Sequence, residues 1–254
     1  MIYDMTAFVG SYDRRPVGLD AEPLARLLGA WDVERVFAGR IDTLFFENGN
    51  GAHRPQAPAR FDRTTVETVP VIDPTLPNWQ DVLTAHFDAN GRRLSMVRLH
   101  PAHHGYEVDD EAVLGPVIDW THHHGAVLQV ILALDDARRR HPANEVRDVP
   151  LESLAKLAKN YPQQRFLASG AVFAALSSMA KSKPANLWAD TGRVEAAAGL
   201  QRLFDVGWGD KLVFASFAPL LIVHSAVARI LADLKDADCS KVLRTNALEL
   251  LAGD

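Results

Sequence analysis

Arg98 and His100 stand two positions apart in LSMVRLH, the run from Leu94 to His100. Apolar and β-favouring residues give that run strand character, and side chains two apart on a strand share a face. A guanidinium presents a planar fork that grips a carboxylate through two bonds. An imidazole gives and takes protons near neutrality. The pair therefore reads as the start of a site for a small carboxylate-bearing molecule, with Arg98 holding it and His100 transferring a proton. A structural alternative stands beside it: His100 bonds backbone next to Pro101, and Arg98 pairs with a buried acid. His103, His104 and Tyr106 follow on the next loop and extend the set as substrate contacts. His100, His103 and His104 also suffice in number for a relocated metal, although neighbouring loop histidines more often hydrogen-bond separately.

Other polar residues sit where a strand gives way to a loop. Asp190 closes LWAD and is the second proton-transfer candidate. Arg40 and Tyr12 each follow an apolar run and are expected to contact substrate at the rim, with Asp42 and Arg14 beside them. Asp135 and Asp136 lie close to Arg138–Arg140, where surface ion pairs are the simpler reading. His122, His123 and His124 form the densest histidine cluster, but successive helical residues diverge by about 100° and do not readily share one ion. They are expected at a helix end away from the site, where partial positive charge is favoured. Ser169 and Ser216 lack a G-x-S-x-G context, so a serine-hydrolase triad has little support.

The elements that must position these side chains alternate regularly. Strands are expected at Ile2–Val9, Arg35–Gly39, Thr68–Ile72, Leu94–His100, Ala126–Leu132, Arg165–Ser169, Leu187–Asp190 and in KLVFASF from Lys211. Helical patterns fall at Ala21–Trp31, Asn78–Asn90, Asp109–His124, Leu151–Asn160, Arg193–Val206, Ser225–Leu234 and Ser240–Leu251. Asp20 is placed to cap the first helix, and Ile41–Phe61 reads as a long loop over one end. AVLQVIL is nearly unbroken apolar sequence, as a strand buried on both faces requires. Eight strands in βα alternation without a linker predict one parallel (β/α)8 TIM barrel over residues 1–254. No glycine-rich phosphate loop joins a strand to a helix; Gly49-Asn50-Gly51 has no helix start behind it.

Four segments in chain order carry a family resemblance: VRLHPAHHGY (Val97–Tyr106), LWADTGRVE (Leu187–Glu195), KLVFASFAP (Lys211–Pro219) and NALELL (Asn246–Leu251). Together they resemble the amidohydrolase-related family. The resemblance implies an amidohydrolase-like barrel with its site at the C-terminal ends of the strands. It also implies a divalent metal held by an H-x-H pair on strand one, histidines on strands five and six, and an Asp on strand eight. In the family's D-x-H-x-H register, Asp4-Met5-Thr6-Ala7-Phe8 puts Thr6 and Phe8 at the paired histidines. The remaining ligands correspond to Val130 or Ile131, to Ser169 and to Phe217. None is an imidazole or a carboxylate, so no metal and no cofactor are expected. Thr6, Phe8, Ser169 and Phe217 should converge at the C-terminal end of the barrel.

Two functions follow. One is a metal-independent hydrolase, lactonase-like, or a lyase acting on a small carboxylate-bearing molecule, with Arg98 as anchor and His100 or Asp190 moving protons. The other is a catalytically inactive barrel kept as a ligand-binding or partner subunit. Composition narrows the partners. A net charge of −5 gives no reason to expect nucleic acid or an anionic membrane. No apolar run is long enough for a span, and MIYDMTAFVG lacks the basic region of a signal peptide. The lone cysteine, Cys239, allows no internal disulfide, which suits a cytoplasmic setting. A homo-oligomer is compatible with the sequence.

Overall fold

The computed structural model describes residues 1–12, 17–45, 54–136 and 146–252. Arg14, the Gly49–Gly51 stretch and Arg138–Arg140 lie outside the described residues. Eight parallel strands form the frame: β1 (Ile2–Tyr12), β2 (Val33–Arg40), β3 (Thr64–Val69, resumed as Val71–Ile72), β4 (Met96–Leu99), β5 (Val127–Ile131), β6 (Phe166–Ser169), β7 (Leu187–Asp190) and β8 (Leu212–Val213). Pro70 interrupts β3 because it has no N–H for the ladder. Its carbonyl still accepts from Arg98 N at 2.9 Å, so the sheet continues across it. Phe8 N donates to Ala218 O at 2.8 Å, and Met5 N and Phe217 N donate to Phe214 O and Thr6 O. Those bonds join β8 to β1 and close the barrel.

The helices that wrap it are α1 (Ala21–Gly29), α2 (Trp79–Ala89), a single turn α3 (Pro101–His104), α4 (Glu111–His123), α5 (Leu151–Asn160), α6 (Phe173–Met179), α7 (Gly199–Asp205), α8 (Val223–Asp233), α9 (Asp236–Ser240) and α10 (Asn246–Ala252). A π-helical turn, Lys241–Thr245, joins the last two. Strand alternation divides the residues cleanly. Val97, Leu99, Leu128, Val130, Phe166 and Ala168 face the helices in the larger core, while Met96, Val127, Leu167, Trp188 and Val213 fill the barrel floor. Ala247 and Leu250 of α10 close that floor from below.

Several boundaries differ from expectation. The loop expected over Ile41–Phe61 contains a 3-10 turn, Asp42–Phe45, and a short strand, Ala59–Phe61, antiparallel to β3. Asp20 occupies the N-cap of α1 but makes no side-chain cap bond. The helix expected over Arg193–Val206 forms only as α7, because the chain before it first crosses the mouth. There Arg193 Nη1 reaches Asp135 O at 2.7 Å, and Val194 is buried. Helix α6 has no counterpart in the sequence reading; its seven residues are too few to show a period. At the end of β8 the left-handed Phe217 (φ 54°) turns the chain across the barrel mouth.

Candidate functional site

Midway up the barrel the inward-facing positions are polar. Arg98 is buried, and its guanidinium links three strands. Nε donates to Gln129 Oε1 (2.5 Å), Nη1 to Ala7 O (2.8 Å) and Nη2 to Phe37 O (3.0 Å). Gly39 makes room for it, since a Cβ there would stand 2.7 Å from Nη1. Gln129 Nε2 donates in turn to Thr6 Oγ1 and Ser169 Oγ, both at 2.7 Å. Thr6 Oγ1 then donates to Asp190 Oδ2 at 2.8 Å. Gly170 N and Gly192 N, each at 3.1 Å, complete the shell of Asp190 Oδ1. Burial raises the Asp190 pKa, and these bonds oppose that rise. Burial likewise lowers Arg98 to about 9, leaving it a cation at neutrality, and the carboxylates of Asp190 and Asp4 counter the loss. The expectation of a guanidinium fork open to a substrate gives way here: this guanidinium cross-links the barrel and does not reach solvent.

Asp4 forms a second buried unit beside the first. Its Oδ1 accepts from Thr6 N (3.2 Å) and Ser216 N (3.0 Å), and Ser216 Oγ donates to Oδ2 at 2.5 Å. Burial outweighs those bonds and raises its pKa to about 7. Ser216 is itself inaccessible, which removes it as a nucleophile.

Above the polar tier two phenyl rings close the barrel. Phe8 and Phe217 meet edge to face with centroids 5.6 Å apart, and both are buried. Gly192 is the notch that admits Phe217: a Cβ there would come within 2.2 Å of the ring. Tyr12, Ile41, Leu44, Ile131, Leu134 and Leu220 pack around the pair. Thr6, Phe8, Ser169 and Phe217 thus converge at the C-terminal end of the barrel, Thr6 Oγ1 lying 3.2 Å from Ser169 Oγ.

His100 borders this plug, 6.4 Å from Phe8 between ring centroids. It is only 1% exposed, and neither ring nitrogen has a hydrogen-bond partner among the described residues. Burial, then the charges of His103, His104 and Arg98, hold its pKa well below 6.5, so the ring is neutral. His103 and His104 sit on α3, started by Pro101 and ended by the left-handed Gly105, with ring centroids 5.9 and 6.4 Å from His100. Tyr106 lies just beyond, its buried hydroxyl without a hydrogen-bond partner among the described residues and its pKa raised by burial and by Asp73.

The rim candidates bond to acids. Arg40 is ion-paired with Asp42, and Tyr12 Oη donates to Asp135 Oδ2 at 3.3 Å. His122–His124 stand at the opposite end of the barrel, where His124 stacks on Trp120 at 3.8 Å. The donor set does not suit a divalent metal. Asp190, bonded to the Thr6 hydroxyl, and Asp4, bonded to the Thr6 backbone N–H, are the carboxylates beside the Thr6–Ser169 group, and both oxygens of each already accept hydrogen bonds. No three His, Cys, Asp or Glu side chains among the described residues are grouped to hold an ion.

No family model and no curated protein matches the sequence. Solved structures do match over the whole chain. A 5-carboxyvanillate decarboxylase from Sphingomonas paucimobilis superposes with a TM-score of 0.71 at 14% identity, covering 100% of this chain and 99% of that one. A protein described as an amidohydrolase II gives 0.68 at 11% identity over 99% and 100% of the two chains. A probable 2-pyrone-4,6-dicarboxylic acid hydrolase from Acinetobacter baumannii, with citric acid bound, gives 0.65 at 12% over 99% of each. The chain shares the (β/α)8 barrel fold of these proteins. Among the described residues, no helix is long and apolar enough to cross a membrane.

Sequence reasoning passed over Gln129, which ties Arg98 to Thr6 and Ser169. Its signal was present: it is the one polar residue in AVLQVIL.

Proposed function

We propose that this barrel does not run metal-assisted hydrolysis and serves instead as a ligand-binding or partner subunit built on an amidohydrolase-type frame. The observation that carries this reading is the edge-to-face pair of Phe8 and Phe217, seated in the Gly192 notch where an ion and its activated water would need space. Below the rings, Asp190, Arg98 and Asp4 are sealed from solvent and engaged with one another's supports. A proton donor that no substrate reaches does no catalysis.

His100 favours a second reading, a metal-independent hydrolase or lyase on a small carboxylate-bearing molecule. A buried imidazole with no partner on either nitrogen among the described residues is costly, and a substrate seated against it would relieve that cost. His103, His104 and Tyr106 would then contact the substrate and Asp190 would be the second proton carrier.

One experiment separates the two. The protein is equilibrated with zinc and with manganese, freed of unbound ion and analysed for metal, then assayed for turnover of small lactones and aromatic carboxylic acids. The first reading expects well under one equivalent of metal and no turnover. Turnover that falls roughly 10²–10⁴-fold in His100→Asn or Asp190→Asn would establish the second reading. One tightly held equivalent of metal would overturn both.

A further inference from the structure

Three imidazoles crowd the end of β4. The rings of His103 and His104 on α3 lie 5.9 and 6.4 Å from the buried His100 ring between centroids, and β1 presents Phe8 at 6.4 Å. Among the described residues, the ionisable groups that act on His100 are His103 and His104 from α3 and Arg98 from β4. Tyr106, beyond α3, faces Asp73 instead, and the carboxylates of Asp190 and Asp4 act on Arg98. Neither nitrogen of His100 meets an acceptor among the described residues. A second proton on that ring would therefore place a cation among apolar and basic neighbours, with neither water nor an anion to offset it.

The element that carries two of the three rings is slight. Helix α3 is a single turn, begun by Pro101 and ended by the left-handed Gly105 (φ 74°). The backbone bonds that hold it are its own. His103 N and His104 N donate to His100 O, both at 3.0 Å, and Gly105 N and Tyr106 N donate to Pro101 O at 2.8 and 3.2 Å. Strand β4, by contrast, is paired on both sides. A turn held by local bonds opens more readily than a strand within a sheet. We propose that α3 is an acid-released latch on the barrel mouth: when the imidazole cluster takes up a proton, the turn swings away from Phe8, His100 meets water, and the strands stay paired. In the closed state burial and the neighbouring charges hold His100 well below its ordinary 6.5. Opening is thus linked to the uptake of one proton, and its equilibrium constant rises about tenfold per pH unit below about 6.5. The latch is independent of both readings of the mouth, because it concerns how the mouth is uncovered and not what enters it.

Native-state amide hydrogen exchange of the full chain from about pH 7.5 to about pH 5 measures the opening, each rate being divided by that of an unstructured chain at the same pH. Protection at His104 and Gly105 should hold steady down to about pH 6.5 and then fall about tenfold per unit. Leu128 N and Leu132 N, bonded across the sheet to Arg165 O and Ser169 O, should remain far better protected throughout. His100→Phe keeps a ring beside Phe8 and His100→Gln keeps a polar side chain, but neither titrates, so in both the slope should vanish. Protection of α3 that does not change with pH, that equals the protection of Leu128 and Leu132, or that keeps its slope in the variants would each overturn the proposal. The first two outcomes are read on the unaltered protein, so the test stands even where a variant fails to fold.

Discussion

At the mouth of the barrel a phenyl ring rests against a glycine, and the fit leaves no room for one more carbon. A Cβ at Gly192 would stand 2.2 Å from Phe217, so Gly192→Ala must displace the ring or the backbone. Overpacking of this kind costs about 1–3 kcal/mol. Phe217→Ala removes the ring and should cost ~3–5 kcal/mol through the cavity it leaves. In the double variant the added methyl enters vacated space, so the two losses should fall short of additive by at least ~1 kcal/mol. Urea unfolding of the four proteins measures that coupling, and strict additivity would mean that the ring does not occupy the notch. Only half of this joint was legible beforehand. Phe217 stood out because it falls where the family that the sequence resembles carries a ligand, whereas Gly192 had no mark in the sequence, since the need for a missing Cβ arises only when two distant segments meet.

At the scale of the element, Arg98 joins β1, β2 and β5 through one guanidinium planted on β4. Arg98→Lys keeps the charge but loses the fork, so two of the three strand ties go. The expected cost is about 2–4 kcal/mol in urea unfolding with no ligand present. A residue serving only a substrate would show little loss of stability, so an unchanged midpoint would return Arg98 to a binding role. The alternation that puts Arg98 and His100 on the inner face was readable in LSMVRLH, as were the eight strands, because a two-residue period survives in short runs. The direction of a long side chain's hydrogen bonds was not, because it depends on carbonyls of strands some sixty and ninety residues away in sequence. The segment before α7 misled for a related reason: its alanines favour a helix, but crossing the mouth buries Val194 and ties Arg193 to Asp135 O.

For the whole molecule, the buried ionisable groups give stability an unusual dependence on pH. Asp4 in the native state keeps its proton up to about 7, against an ordinary value of 3.8. Between those limits the native state binds more protons than the unfolded chain, so the stability Asp4 contributes is fully present below about 4 and is lost as pH rises through about 7. Asp190, also raised by burial, acts with the same sign. His100 acts oppositely. Its native pKa lies well below 6.5, so the unfolded chain takes up protons first and stability falls as pH drops below about 6.5. Asp4→Asn isolates the first effect, because the amide oxygen still accepts from Thr6 N and Ser216 N. Relative to the wild type, that variant should gain stability steadily from about pH 4 to 7 and then level off. His100→Phe, which places an apolar ring beside Phe8, should instead gain on the wild type as pH falls below about 6.5. Urea unfolding of the three proteins at intervals across this range measures both slopes. A flat difference for Asp4→Asn would mean that Asp4 ionises normally, with water reaching it past the phenyl rings, and the sealed barrel on which the proposed function rests would then be open.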